Sequence, residues 1–543
     1  MGAIISALNA LLHERGYLRD EDLRAVAVQE KVPLYRVEGV VSFYPHFRRT
    51  PPPKVEVAVC RDVSCRLAGG RDVCTQTKAR LEREGVEVRE VSCLGRCEIA
   101  PAVTVNEHPM SAADLDAVAA RVESPPNHGE LPQPTNSPRM WASDPYPSAA
   151  DRYGVLMKAA RGEIGAAQVI AELKESGLRG MGGAGFPTGV KWDLVSKEAA
   201  QPKYVVCNAD ESEPGTFKDR VVLEEMPHLV VEGMALAGLV VGAEKGIVFI
   251  RHEYVAERIA LAREIESARA RGALGVDIFG SGRRFDVEIF VSPGGYILGE
   301  ETALLECLED KRGEPRNKPP FPGQKGLFEK PTLINNVETF SVVPKIVSGG
   351  GAAWKALGVR GAAGLKMISL SGDVERPGVY QVPMGTTIGE LVALAGGMKN
   401  GKQVLAVAPG GASSNFLRGD AAMDAPLDFK ALAERGSMLG SGAVLVIAEG
   451  ADIVDLAANV VTFFRNESCG KCVPCRVGSQ KAVEMLEQAT AGRGKKRHLA
   501  LLPELASTLE QTSICGLGQV AIAPFLSVMK AFPNEVAARF DQE

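Results

Sequence analysis

The most constraining feature of this 543-residue sequence is a glycine-rich stretch at residues 180–192, which reads GMGGAGFPTGVKW. Five glycines within ten positions leave the backbone bare, so a ligand can reach the amide N–H groups and positive φ angles are accessible. Successive N–H groups in such a loop form a concave nest for a phosphate. Lys191 adds a positive charge, and Phe186 and Trp192 offer flat apolar faces. This glycine loop, residues 180–192, therefore predicts a nucleotide or flavin site.

The glycine loop also fits the dinucleotide-binding pattern G-x-G-x-x-G at Gly180, Gly182 and Gly185. That pattern carries weight only when it follows a strand and opens a helix. Here the preceding residues, 165–176, have helical spacing, and we expect Pro187 and Gly189 to prevent a helix from following. An ordinary Rossmann fingerprint is therefore disfavoured, as is a plain surface loop.

Composition excludes several classes of protein. The net charge of −5 provides no basic surface for nucleic acid. The longest apolar run, residues 229–243, contains Glu232 and is too short to span a membrane. The N-terminus lacks the features of a secretory signal. Eleven cysteines without an export signal favour thiolate ligands in a reducing compartment, so we expect a cytoplasmic protein.

Changes in hydrophobic periodicity predict an α/β multidomain protein of six segments. Residues 123–147 carry seven prolines and are typical of an extended linker. The expected segments are an N-terminal helical region (1–48), a small βαββ-like unit (49–122), the linker (123–148), an α/β domain (149–350), a β-grasp, ubiquitin-like module (351–450) and a C-terminal helical bundle (451–543).

The predicted strands of the two central segments are short. In the α/β domain they lie at 204–206, 246–250 and 287–291, alternating with helical stretches. In the β-grasp module, strands at 366–371, 378–382 and 442–447 surround one helix at 387–395.

One set of cysteines lies near the C-terminus. Cys469, Cys472 and Cys475 have the spacing C-x2-C-x2-C, and Cys515 is a plausible fourth ligand. Three closely spaced thiolates with one distant thiolate suit a [4Fe–4S] cluster. Structural zinc sites more often use two separated pairs, so zinc is the weaker alternative.

A second set lies in the βαββ-like unit, where Cys60-x4-Cys65 is followed by Cys93-x3-Cys97. Two pairs on two loops suit the two irons of a [2Fe–2S] cluster. The spacing alone also leaves structural zinc open.

Acidic loops supply the second half of the predicted pocket. Residues 208–216, NADESEPGT, directly follow a predicted strand, and residues 294–302, GGYILGEET, follow another. Carboxylates beside a phosphate loop repel phosphate, but they accept hydrogen bonds from ribityl and ribose hydroxyls. Lys318, Phe321 and the pair 335–336 add a cation, a ring and two amides.

These motifs resemble a known family. From about residue 150 to the C-terminus, GGAGFPTG, NADE-x-EPGT, GEET and CGKC-x2-C are similar to the NADH-oxidising flavoprotein subunit of respiratory complex I and its soluble relatives. Residues 1 to about 120 resemble the thioredoxin-like [2Fe–2S] ferredoxin subunit that partners it. Fused chains of this kind occur as β subunits of soluble NAD-linked formate dehydrogenases and as diaphorase subunits of NAD-linked hydrogenases.

The resemblance implies a Rossmann-like FMN domain, a thioredoxin-like domain and a cofactor set of FMN, NAD, [2Fe–2S] and [4Fe–4S]. The implied FMN-binding residues are Gly180, Gly182, Lys191, Asn208, Asp210, Glu211, Tyr296, Gly299, Glu300, Asn335 and Asn336. The implied NADH-binding residues are Phe186, Glu213, Tyr296, Glu301, Lys318 and Phe321. It also implies that Cys60, Cys65, Cys93 and Cys97 bind [2Fe–2S] and that Cys469, Cys472, Cys475 and Cys515 bind [4Fe–4S]. Met181 departs from the pattern, since many relatives carry arginine there.

The implied activity is that of a diaphorase, which passes hydride between NAD(H) and FMN and single electrons between FMN and the clusters. No general base is needed, and Glu213 is expected to position the nicotinamide. The motifs PGGAS at 409–413, PLDF at 426–429, SCG at 468–470 and ICGLG at 514–518 look most like formate dehydrogenase β subunits. The expected partner is then a catalytic subunit with a molybdenum or tungsten centre.

Two alternatives remain at this stage. The chain can instead serve an NAD-reducing or bifurcating hydrogenase or a respiratory NADH:quinone oxidoreductase, whose other cofactors lie on other chains. The second alternative is a zinc-stapled scaffold without enzyme activity, which would be colourless and contain stoichiometric zinc.

Overall fold

The structure, a computed structural model, describes residues 3–69, 72–127, 131–134 and 139–541. Three helices begin the chain, as predicted for residues 1–48, and their apolar faces bury Ile5, Leu8 and Val37. They are α1 (Ala3–Arg15), α2 (Asp20–Gln29) and α3 (Leu34–Phe43).

The next unit is a four-stranded sheet of order β2-β1-β3-β4, in which β1 and β2 are parallel and the other pairs are antiparallel. The helix expected in the βαββ-like unit is α5, whereas the helix α4 was not predicted. The elements are β1 (Val55–Cys60), α4 (Val63–Gly69), α5 (Val73–Leu81), β2 (Val86–Val91), β3 (Ala102–Val105), β4 (His108–Ser111) and α6 (Leu115–Glu123).

Near its C-terminal end, the linker packs against the α/β domain and the β-grasp module. Arg139 and Trp141 both bond Glu225, and Ser143 bonds Gln381 of the β-grasp module. The Tyr146 hydroxyl donates to the carboxylate of Glu232 at 2.7 Å. Residues 139–146 therefore join the α/β domain to the β-grasp module, which proline content alone does not reveal.

The α/β domain is built on a parallel sheet of order β7-β6-β5-β8. The helix of residues 227–241 is buried along its whole length and contains the apolar run noted in the sequence. The elements are α7 (Gly154–Ala160), α8 (Ala166–Glu175), α9 (Thr188–Lys197), β5 (Tyr204–Ala209), α10 (Lys218–Glu225), α11 (Pro227–Val241), β6 (Lys245–Arg251), α12 (Val255–Ala270), β7 (Asp286–Ser292), α13 (Glu301–Leu308), α14 (Pro322–Lys325), β8 (Thr332–Asn336), α15 (Val337–Ser341), α16 (Val343–Gly349) and α17 (Gly351–Lys355).

Two expectations for this domain were incomplete or wrong. The strand β8 was not predicted, because its polar end, Asn335 and Asn336, masks a short apolar core. A helix, α9, does form here: it begins within the glycine loop, immediately after Pro187, and includes Lys191 and Trp192. Proline is tolerated there because the first N–H groups of a helix need no partner within it. A Cβ on Gly189 would lie 2.7 Å from the Lys174 amide nitrogen, so this glycine allows α8 and α9 to approach closely.

The β-grasp module has a five-stranded sheet of order β10-β9-β13-β11-β12. Three of its strands and the helix α18 were predicted, whereas β11 and the two-residue β12 were not. The elements are β9 (Leu365–Gly372), β10 (Gly378–Pro383), α18 (Ile388–Leu394), β11 (Val404–Ala408), β12 (Leu417–Arg418), α19 (Gly419–Ala422), α20 (Phe429–Glu434) and β13 (Ala443–Ala448).

The C-terminal segment is helical, as predicted. Its helices are α21 (Ile453–Asn466), α22 (Val473–Thr490), α23 (Lys496–Thr512), α24 (Gly516–Val520), α25 (Ala523–Ala531) and α26 (Pro533–Ala537). Among the described residues, no helix combines the length and the apolar character needed to cross a bilayer.

Candidate cofactor site

The glycine loop lies against the carboxyl edge of the parallel sheet. Within the loop, the Gly180 N–H donates to the Phe186 carbonyl at 2.8 Å, and the Met181 N–H donates to Thr339 Oγ1 at 2.9 Å. A Cβ on Gly182 would lie 2.9 Å from the Cβ of Asn336, at the end of β8. The loop therefore lies beside the carboxyl end of β8, whose neighbour in the sheet is β5. We call the region formed by the glycine loop and the carboxyl ends of β5 and β8 the cup.

The Met181 side chain is buried, with 1% of the residue exposed. Its backbone rather than its side chain holds the loop in place, through the bond to Thr339.

Lys191 and Trp192 have different roles in the cup. Lys191 Nζ donates to the Ile334 carbonyl at 3.1 Å and lies 5.9 Å from the centre of the Phe186 ring. Burial lowers the pKa of Lys191. The expectation that Trp192 presents a flat face to a ligand is wrong, because the residue is fully buried and donates from Nε1 to Asn335 Oδ1 at 3.0 Å. Trp192 therefore orients the amide of Asn335.

Asn208 and Asp210 lie at the end of β5. Asn208 Nδ2 donates to the Gly299 carbonyl at 2.9 Å, while its Oδ1 accepts from the Asp210 N–H at 3.2 Å. Burial raises the pKa of Asp210 to about 7. Its Oδ1 is buried and has no hydrogen-bond partner within the described part of the chain. A buried acceptor without a partner is satisfied by a ligand hydroxyl, so this carboxylate fits the ribityl chain of FMN.

Three other implied FMN residues are used within the protein. The Glu211 carboxylate accepts from the Asp219 and Arg220 N–H groups at 2.8 and 3.1 Å, and Glu300 caps α13 by accepting from the Thr302 and Ala303 N–H groups. Asn336 Nδ2 donates to Asp219 Oδ2 at 2.6 Å, and Asn336 Oδ1 accepts from the Glu338 N–H at 3.0 Å. These side chains hold the loops of the cup in position.

Glu213 and Tyr296 form a pair beside the β-grasp module. The Tyr296 hydroxyl donates to Glu213 Oε2 at 2.6 Å, and Glu213 Oε1 accepts from the Ser413 N–H at 2.6 Å. Burial raises the pKa of Glu213. A second domain, the β-grasp module, therefore contributes to fixing the residue that we expect beside the nicotinamide.

The remaining implied NADH residues are accessible. Phe186 and Phe321 are 44% and 55% exposed, which leaves both rings available for stacking. Lys318 Nζ lies 2.9 Å from Glu300 Oε1 and 3.4 Å from Glu301 Oε1.

Cys60, Cys65, Cys93 and Cys97 are all buried, and their thiols are linked by hydrogen bonds of Cys60 with Cys65 and of Cys93 with Cys60 and Cys97. Hydrogen bonding from Cys60 and Cys97, followed by the charge of Arg251, lowers the pKa of the Cys93 thiol. The Ala102 N–H also points at Cys65 Sγ at 3.3 Å, as donors do around cluster sulfurs.

The second cysteine set lies between the C-terminal helices. Burial raises the pKa values of Cys475 and Cys515 to about 11, and Cys469 and Cys472 interact electrostatically with Cys475. Ser468 Oγ lies 3.2 Å from Cys475 Sγ. In the residues that the structure describes, no three His, Cys, Asp or Glu side chains are placed to hold a metal ion. The cluster assignment therefore rests on the cysteine pattern and on the relatives.

One cysteine of each set lies within electrostatic reach of the Glu213–Tyr296 pair. Cys93 is among the groups that raise the pKa of Glu213, and Cys515 is among those that raise the pKa of Tyr296, in each case after burial. Sequence spacing brings none of these residues together.

Three residues that join the domains were not predicted. Arg251 bonds the Glu211 and Cys93 carbonyls, and the Tyr254 hydroxyl bonds Glu211 and lies against Gly95. Glu467 accepts from Ser92 Oγ at 2.5 Å and from the Tyr296 N–H at 2.9 Å. Arg251 could have been suspected from the sequence, because it directly follows the predicted strand 246–250 and parallel sheets bind ligands at the carboxyl ends of their strands.

Four family models match the chain. They are the thioredoxin-like [2Fe-2S] ferredoxin at residues 1–124, the Nuo51 FMN-binding domain at 173–345, the SLBB domain at 367–415 and the NADH-ubiquinone oxidoreductase-F iron-sulfur binding region at 455–539. The matches confirm the predicted fold class and the predicted FMN, [2Fe–2S] and [4Fe–4S] cofactors.

Several curated relatives and solved structures are similar to this chain. An F-type subunit of the NADH-quinone oxidoreductase of Rhizobium meliloti is 45% identical over 73% of this chain and 93% of its own length. The NADP-reducing hydrogenase subunit HndC of Solidesulfovibrio fructosivorans is 44% identical over 69% of this chain and 77% of its own. A chain of an NAD+-reducing [NiFe]-hydrogenase in the H2-reduced state matches with a TM-score of 0.86 and 31% identity, covering 99% of this chain and 93% of that one.

Proposed function

Since this chain belongs to the family of NADH-quinone oxidoreductase F-type subunits, we propose that it is the diaphorase subunit of a soluble NAD-dependent formate dehydrogenase. The class to which the chain belongs is that of NADH dehydrogenase-type oxidoreductases with FMN and iron–sulfur clusters. FMN supplies the chemistry that joins two-electron hydride exchange with NAD to one-electron exchange with a cluster.

The observation that carries the electron-transfer role is the position of Tyr296. Its hydroxyl bonds Glu213, its N–H bonds Glu467, and it lies within electrostatic reach of Cys515. Glu213 in turn lies within reach of Cys93. The residues expected to hold the nicotinamide and the flavin therefore lie within electrostatic reach of ligands of both predicted clusters.

The chain's own residues have assignable tasks in this proposal. Lys191 and the N–H groups of the glycine loop would hold the FMN phosphate, and Asp210 would accept from a ribityl hydroxyl. Phe186 and Phe321 would stack on the nucleotide. Glu213, held from two sides by Tyr296 and Ser413, would fix the nicotinamide orientation without acting as a general base.

The formate branch is supported by sequence motifs. Residues 409–413, 426–429, 468–470 and 514–518 resemble formate dehydrogenase β subunits. Met181, where many relatives carry arginine, points only away from the respiratory branch. The partner would then be a catalytic subunit with a molybdenum or tungsten centre, and electrons would flow from formate to NAD⁺.

A second candidate is a hydrogenase diaphorase. The likeness to the chain from the NAD+-reducing [NiFe]-hydrogenase favours it, because that likeness covers nearly the whole chain, including the N-terminal unit. The relative HndC points in the same direction.

The test is to purify the native complex through a tag on this chain and to assay NAD⁺ reduction with formate and, separately, with H₂. We expect activity with formate and a co-purifying molybdenum- or tungsten-containing subunit. Activity with H₂ alone would replace the formate assignment by the hydrogenase one. Activity with neither donor, together with NADH oxidation by an artificial acceptor, would retain the diaphorase and reject both partners.

A further inference from the structure

Arg251 connects loops that belong to two different cofactor sites. It ends β6, and only 3% of it is exposed. Its Nη2 donates to the Cys93 carbonyl at 2.7 Å, and its Nη1 donates to the Glu211 carbonyl at 2.6 Å. One guanidinium group thus bonds the backbone of a [2Fe–2S] cysteine and the backbone of the acidic loop of the cup.

The charge of Arg251 has a defined counterion. Glu253 accepts from Arg251 Nε at 3.0 Å and from Nη2 at 2.8 Å, and its pKa is held well below the ordinary value mainly by this arginine, against the effect of burial. The pair therefore stays ionised. Because the arginine side chain is buried, water and salt screen its field weakly.

Neighbouring contacts fix the same loop. A Cβ on Gly95 would lie 2.5 Å from the Tyr254 hydroxyl, and that hydroxyl donates to Glu211 Oε2 at 3.0 Å. Ser92 Oγ donates to Glu467. The loop is thus positioned by several groups, but among these contacts only Arg251 brings a positive charge to the Cys93 backbone.

We propose that Arg251 is a positioning residue that docks the Cys93–Cys97 loop onto the flavin domain and raises the reduction potential of the [2Fe–2S] cluster, with Glu253 opposing it. Reduction adds negative charge to a cluster, so a nearby cation favours the reduced state and a nearby anion disfavours it. Net charge and hydrogen bonding are among the factors that set such potentials. The proposal depends on the [2Fe–2S] assignment and not on the identity of the partner subunit.

The decisive experiment is a redox titration of the full chain, followed by electron paramagnetic resonance of the [2Fe–2S] signal. In Arg251→Gln the Glu253 carboxylate loses its counterion, and we expect the ratio of reduced to oxidised cluster at a fixed potential to fall about tenfold. In Glu253→Gln the arginine charge is uncompensated, so the ratio should rise. Opposite shifts support an electrostatic role, whereas shifts of the same sign, or none, overturn it.

Three controls separate this effect from simple disruption. Arg251→Lys keeps the positive charge but lacks the planar guanidinium that donates to both carbonyls in fixed directions. The reduction potential of its cluster should therefore differ less from that of the unmodified chain than the potential of the Gln variant does. Arg24→Gln, on the exposed face of α2, should leave the potential unchanged. Iron and acid-labile sulfide are counted in every variant. If Arg251→Gln fails to retain the cluster, Glu253→Gln decides, and no rise in its potential rejects the proposal.

Discussion

At the scale of single residues, the cup contains a buried carboxylate, Asp210, that destabilises the folded protein when no ligand is bound. Burial raises the pKa of Asp210 from an ordinary 3.8 to about 7, so the folded apoprotein retains a proton that the unfolded chain releases. Between these two values the folded state binds more protons, and its stability therefore falls as the pH rises. Ligand binding offsets this loss of folding stability when the ligand supplies the missing hydrogen bond.

The first prediction is that Asp210→Asn stabilises the apoprotein while weakening FMN binding. The melting temperature of the FMN-free chain should rise by roughly 2 °C at pH 8 and change little near pH 4, because the carboxylate penalty builds up between pH 3.8 and about 7. FMN affinity should fall about tenfold, measured by flavin fluorescence quenching.

A matched control for this prediction is Glu163→Gln, the same change from acid to amide at an exposed position. It should alter neither the melting temperature nor the FMN affinity. A stabilised Asp210→Asn variant with unchanged affinity would place Asp210 outside the FMN contacts.

Residue types were easier to predict than residue environments. Lys191 and Asn208 lie in the cup, because each stands in a glycine loop or at a strand end that the sequence shows, and their contacts with FMN stay predictions. Trp192 and Glu211 look equally available in the sequence, but one is buried under Asn335 and the other binds the start of α10. Only the packing of distant segments decides which polar atoms remain for a ligand.

At the scale of elements, the shape of the cup depends on how closely the glycine loop approaches β8. The Asn336 side chain cannot retreat easily, because it bonds Asp219 on one side and caps α15 on the other. A Cβ at residue 182 would meet its Cβ at 2.9 Å and its Cγ at 3.3 Å.

The second prediction is therefore that Gly182→Ala impairs FMN binding without unfolding the protein. Forced overpacking costs about 1–3 kcal/mol, which corresponds to about a tenfold to hundredfold loss of affinity if it distorts the cup. The measurement is the FMN dissociation constant of the reconstituted chain. Gly165→Ala, where nothing lies within 4 Å of the added Cβ, is the control and should bind FMN normally. Equal affinities in the two variants would refute the close-approach argument.

The elements themselves were predicted where periodicity is strong. Strands β5, β6 and β7 have runs of β-branched residues and were found, whereas β8 and β11 were not. The strand β8 ends in two asparagines and resembles a loop in the sequence, whereas β11 is a short apolar run that periodicity cannot distinguish from part of a buried helix. The helix α9 was missed for a different reason, since Pro187 and Gly189 have the character of helix breakers in the sequence but suit a helix start and a close helix contact in the fold.

At the scale of the whole molecule, the six segments are not independent units. One apolar core joins the glycine-loop side of the α/β domain to the β-grasp module, and a second joins the N-terminal helices to the C-terminal ones. Sequence periodicity locates segments but contains no information about which faces pack together. The contacts that align the cofactor sites were therefore beyond prediction.

One ion pair illustrates this alignment. Arg66, adjacent to Cys65 on α4, donates from Nε and Nη2 to Asp455 of α21 at 2.7 and 2.8 Å. Both side chains are largely buried, with 20% and 10% exposed. The helix α21 ends at Asn466, shortly before Cys469, so the pair connects elements that lead to both cysteine sets.

The third prediction is that Arg66→Met loosens both elements together. A buried carboxylate that loses its bidentate partner is costly, whereas an exposed pair contributes little. Amide hydrogen exchange should accelerate about tenfold at residues 62–69 and 453–459. Arg80→Met breaks the exposed pair of Arg80 with Asp116 in the same domain and should change exchange at neither segment. Because the two residues act as a unit, adding Asp455→Asn to Arg66→Met should accelerate exchange no further. Full additivity of the two substitutions, or acceleration confined to residues 62–69, would mean that the [2Fe–2S] domain is held on the C-terminal helices by other contacts.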